Sequence, residues 1–119
     1  MIPMLLMLAI DTSAPMAPMP TSAFASEFVI QINRGPLGTL PAGGCMALAV
    51  TLDADGAPRD TKIVLSSRQY PIDRGVLLAL KTYRFDPAGL AEGARWQVFF
   101  SWSKDGRRTR LSNTCVDLG

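Results

Sequence analysis

Cys45-Met-Ala-Leu-Ala-Val-Thr-Leu-Asp-Ala-Asp-Gly56 begins the run of residues that sets the architecture. Three more signals follow it: Thr61-Lys-Ile-Val-Leu-Ser-Ser67, Pro71-Ile-Asp-Arg-Gly-Val-Leu-Leu-Ala-Leu-Lys-Thr-Tyr83 and Arg95-Trp-Gln-Val-Phe-Phe-Ser-Trp102. In the first run Met46, Leu48, Val50 and Leu52 share one face and Cys45, Ala47, Ala49 and Thr51 the other, the two-residue alternation of a strand. Asp53-Ala-Asp-Gly56 is a hairpin turn, because glycine tolerates positive φ and aspartate bonds its own backbone. From Pro71, a favourable first-turn residue, Ile72, Val76, Ala79, Leu80 and Tyr83 recur at helical spacing until Asp86-Pro87 stops the helix. The order predicts an α+β fold, β-β-α-β, with a three-stranded antiparallel sheet packed by one helix. Strand direction places the first strand in the middle, giving the order 2-1-3 with a right-handed crossover. The aromatic third strand is then an expected open edge.

The chain has 119 residues, 48% of them hydrophobic, which suits one small domain. A net charge of +2 is too small to call for nucleic acid. The absence of histidine removes the commonest general base and metal ligand together. No nucleophile–base pair is legible, so no enzyme activity, cofactor or metal is expected. Asp53-x-Asp55-Gly56 resembles the start of a calcium loop, but Ala57, Pro58 and Arg59 occupy the following ligand positions, so a turn is the better reading.

Four regions are expected: a signal-peptide-like segment (1–25), a Pro/Gly-rich lead-in (26–44), the folded domain (45–104) and a basic tail or extra strand (105–119). Met1-Ile-Pro-Met-Leu-Leu-Met-Leu-Ala-Ile10 is apolar but shorter than a membrane span. Ala23-Phe24-Ala25 before Ser26 has the small-x-small form of a cleavage site, with a buried or disordered amino-terminal segment as the alternative. Phe28-Val-Ile-Gln-Ile32 is a candidate short strand. Cys45 and Cys115 are too far apart in sequence for a clustered zinc site and are a candidate disulfide, with two buried thiols as the alternative.

Gly44, Val50-Thr-Leu-Asp-Ala-Asp-Gly56, Ile63-Val-Leu-Ser-Ser67, the helix from Leu77 to Tyr83, Arg84-Phe-Asp-Pro-Ala88 and the closing aromatic strand together resemble the carboxy-terminal domain of the TonB family. The resemblance covers about half the chain. It implies a periplasmic domain that binds an extended peptide of an outer-membrane receptor by adding it to the sheet. The chain departs from the family pattern before the first strand, where Leu40-Pro41 stands in place of a tyrosine-proline pair. It also lacks a long spacer, a spanning segment and any histidine. The resemblance therefore implies a stand-alone interaction domain rather than a coupled energy transducer.

On the third strand Trp96, Val98, Phe100 and Trp102 are expected in the core, while Arg95, Gln97, Phe99 and Ser101 are the candidate partner-binding residues. Lys104, Arg107, Arg108 and Arg110 form a candidate basic patch, read first as a solvated hairpin end and second as a site for anionic partners. If the tail returned beside the third strand it would cover the proposed edge and make a closed structural or dimerising envelope module. The expected partners are proteins: an outer-membrane receptor, another envelope protein or a second copy.

Overall fold

The computed structural model describes residues 16–24, 28 and 43–119. Its elements in chain order are β1 (Ala17–Pro18), a single 3₁₀ turn (Thr21–Ala23), β2 (Gly44–Leu52), β3 (Pro58–Leu65), α1 (Tyr70–Leu80), β4 (Trp96–Trp102) and β5 (Thr109–Ser112). The candidate strand after Phe28, the cleavage position at Ala25 and the Leu40-Pro41 pair lie outside the described residues.

The three-stranded antiparallel sheet is corrected to a five-stranded mixed one. The strand path is β1-β4-β2-β3, and β5 also pairs with β4. β1 runs parallel to β4, whereas the β2–β3, β2–β4 and β4–β5 pairs are antiparallel. The physical reason lies in β4. Its backbone needs partners on both sides, and an apolar strand left unpaired is an aggregation hazard. A segment far upstream and the returning tail supply those partners.

The β2–β3 hairpin closes through Asp53, whose carboxylate accepts the N–H groups of Asp55 and Ala57 at 2.9 and 3.0 Å. Gly56 sits at φ +84°, and a Cβ there would collide with the carbonyl oxygen of Phe85. Glycine is therefore required twice over, by conformation and by space. α1 starts with Pro71 in its first turn and has no side-chain bond from its N-cap, Gln69. Asp73 compensates by accepting the Ser67 N–H at 2.9 Å and the Ser66 and Ser67 hydroxyls at 2.6 Å each. The helix ends at Leu80, three residues earlier than the periodicity suggests, and Tyr83 donates its N–H back to Leu80.

Ile72, Val76 and Leu80, spaced four apart, bury one stripe of α1. They belong to one core with Met46, Leu48, Val50, Val98 and Phe100, all fully buried. The amino-terminal segment completes that core: Met19 is fully buried and Ala23 is 1% exposed. Phe28 packs edge-on against both Tyr83 and Phe100, at 5.4 and 5.8 Å between ring centres. Cys45 and Cys115 form a disulfide with a Cα separation of 5.8 Å.

Candidate strand-binding edge

Two sheet edges compete as binding surfaces, and they differ in kind. Among the described residues β3 pairs only with β2. Its register slips twice, between Ala47 and Leu48 and between Ala49 and Thr51, with the extra residue on β3 each time. One slip coincides with Asp60, a non-glycine residue at φ +46°. Bulges bend a strand and interrupt its ladder, and Pro58, Arg59 and Lys62 add a missing donor and two charges. Arg95 fixes the irregularity in place by donating from Nη1 to the Asp60 carbonyl at 2.9 Å. β3 is thus an edge built against further pairing.

The outer edge of β4, expected open, is covered in two parts. Over its second half Phe99, Phe100, Ser101 and Trp102 pair with Ser112, Leu111, Arg110 and Thr109 of β5. That half is firmly closed. Ser103 accepts the Arg108 N–H at 3.0 Å and donates its hydroxyl to Asp105 at 2.6 Å, shaping the turn between the strands. The Ser101 hydroxyl is fully buried and accepts the Val116 N–H at 3.0 Å, while the disulfide pins the preceding residue, Cys115.

Over its first half β4 is covered, among the described residues, by β1, with Ala17 opposite Trp96 and Pro18 opposite Gln97. Ala17 and Met19 donate to the carbonyls of Arg95 and Gln97 at 3.4 and 3.1 Å. Proline at the intervening position sacrifices nothing, since alternate backbone groups of an outer strand point away from its neighbour. The side chain of Met19 enters the core, Asp86 donates its N–H to the Ala23 carbonyl at 2.9 Å, and Phe24 stands edge-on to Phe85. A cleft of about 550 Å³ has Thr21, Phe24 and Phe28 on one wall and β5 on another.

The candidate site residues therefore separate. The carbonyls of Arg95 and Gln97 accept the N–H groups of the amino-terminal arm, while Phe99 and Ser101 belong to the closed hairpin. Val98, Phe100 and Trp102 are core residues, and Trp96 is partly buried against the core. The indole Nε1 of Trp96 is shielded from solvent and has no acceptor among the described residues. Lys104, Arg107, Arg108 and Arg110 are all exposed around the β4–β5 turn. Within that turn hydrogen bonds from Ser103 and the Arg107 N–H, with the nearby Arg107 and Arg108 charges, hold the Asp105 carboxyl below its ordinary range. Among the described residues no group of three or more His, Cys, Asp or Glu is placed to hold a metal, and no helix is long and apolar enough to cross a membrane.

No protein-family model, curated protein or solved structure matches the chain. Sequence reasoning missed Ala17, Met19 and Ala23, which look like the end of a leader. The one available signal was the alternation in Met16-Ala-Pro-Met-Pro20, a pattern compatible with an extended arm that sends one methionine inward.

Proposed function

We propose that this is an exported, TonB-like protein-interaction domain that retains residues 17–24 and accepts an extended peptide as a strand on the first half of β4; cleavage after Ala25 would remove β1 and the buried Met19 and is not part of this reading. The observation that carries the reading is β1. Two residues of the chain's own amino-terminal arm already lie on that edge, held there by two backbone hydrogen bonds and the buried Met19, while Ala23 and Phe24 anchor the arm further along against Asp86 and Phe85. Bonds of this kind contribute about 1 kcal/mol each and a buried methionine about 2 kcal/mol. Such an arm protects the edge yet is displaceable by a longer partner strand, whose main chain supplies affinity and whose side chains supply selectivity. β3 offers no comparable place, being bulged and charged.

The disulfide agrees with an oxidising compartment, and a periplasmic setting is the one the TonB resemblance implies. In this reading the basic turn is a solvated hairpin end and the second half of β4 is structural. The partner is an extended segment of an envelope protein, an outer-membrane receptor being the class the resemblance names. Calorimetry with extended receptor-type peptides on the full chain and on a Met19→Asp variant tests the proposal. Loosening the arm is expected to tighten binding about tenfold or more, since the cis segment competes at an effective concentration in the millimolar range. Equal affinity for both proteins would contradict competition at this edge.

A further inference from the structure

The arm fits β4 imperfectly at one atom, and that atom identifies a feature of the partner. The Trp96 indole N–H is buried without an acceptor among the described residues, and the residue in register with it on β1 is Ala17. An alanine side chain has nothing to accept with. Resting on the strand-addition reading above, we infer that the preferred partner strand carries a side-chain acceptor, a carboxylate or an amide, at the register position Ala17 occupies and an apolar residue two positions on, where Met19 enters the core.

The argument is one of differences. Backbone bonding to the Arg95 and Gln97 carbonyls is the same for any strand in this slot and cannot discriminate. A buried donor left unsatisfied is costly, whereas a bond made in the same low-dielectric setting is strong. A strand that supplies the acceptor therefore gains on the arm at the one place where the arm is deficient. Partner residues at parallel register share a face of the sheet, so a side chain opposite Trp96 lies on the indole's side. Arg95, the adjacent cation, is already committed to Asp60 and leaves the indole as the donor to be answered. Two residues further, the fully buried Met19 defines what the second position takes: a long, unbranched apolar side chain. The intervening position, Pro18, imposes no backbone requirement.

The test uses the full chain. In cis, Ala17→Gln is compared with Ala17→Met, which has similar length and no amide. The expected result is a downfield move of the Trp96 indole N–H resonance and slower exchange of that proton in Ala17→Gln alone. In trans, peptides copying residues 13–24 with the same two replacements are titrated into the Met19→Asp chain. The glutamine peptide is expected to bind about tenfold tighter, and the preference is expected to vanish in a Met19→Asp/Trp96→Phe background. Equal affinities with an unmoved indole proton would overturn the acceptor rule while leaving strand addition standing. If neither peptide binds, strand addition itself falls, and the cis comparison still decides whether the indole takes an acceptor at position 17.

Discussion

Asp53, Asp73 and Asp105 each organise a turn or a helix start, and all three have carboxyls held below the ordinary value of 3.8. At Asp53 the Arg59 side chain is the leading cause, joined by the Ala57 N–H. At Asp73 burial pushes upward, and the bonds from Ser66 and Ser67 together outweigh it. A carboxyl depressed in the folded state adds stability that is present above its unfolded value and is lost as pH falls through the folded one. With no histidine in the chain, the thermal midpoint is expected to stay level between about pH 5 and 8 and to drop below about pH 4. Asp73→Ala should cost about 1–2 kcal/mol by urea denaturation at neutral pH and shallow the acid decline. A full-sized acid decline in that variant would show that Asp73 is not among its causes. Gly56→Ala should cost about 2–3 kcal/mol, because the residue must hold positive φ against the Phe85 carbonyl. A loss below 0.5 kcal/mol would show that the turn relaxes freely.

At the scale of elements, β2, α1 and β4 were legible because each carries its own signal: a bulky alternating face, a four-residue apolar spacing, an aromatic run. β3 was legible only in part. Its bulges at Asp60 and near Val64 break the two-residue period, so the strand begins earlier, at Pro58, than its apolar residues suggest. β1 was invisible, since two residues have no period and their partner lies about 80 positions away. β5 was foreshadowed by the Lys104-Asp-Gly-Arg turn, and it pairs with β4 just before the disulfide that seats the tail. Cys45 and Cys115 are 70 positions apart, a closure worth about 4 kcal/mol in the loop-entropy account. Reducing the bond should lower global stability by about that amount and speed hydrogen exchange in residues 109–116 more than in β2–β3, because the tail gains local opening on top of the global loss. Uniform acceleration across the sheet would mean that the tail is not a separate structural layer.

For the molecule as a whole, the candidate site was half legible. The third strand stood out as the candidate edge, and in the proposed reading which half serves depends on contacts made by remote segments. β5 and the disulfide close one half permanently, and a short arm covers the other. β3, the free edge, is spoiled by bulges and charge. These three facts leave residues 95–98 as the place where a partner strand gains most. The direct measurement is an amide-resolved NMR titration of the full chain with an extended receptor-type peptide. The account predicts shifts concentrated at residues 95–98 together with release of residues 17–24, and little change in β3 or around Arg107, Arg108 and Arg110. Shifts confined to β3 or to the basic turn, with the arm still seated, would contradict it.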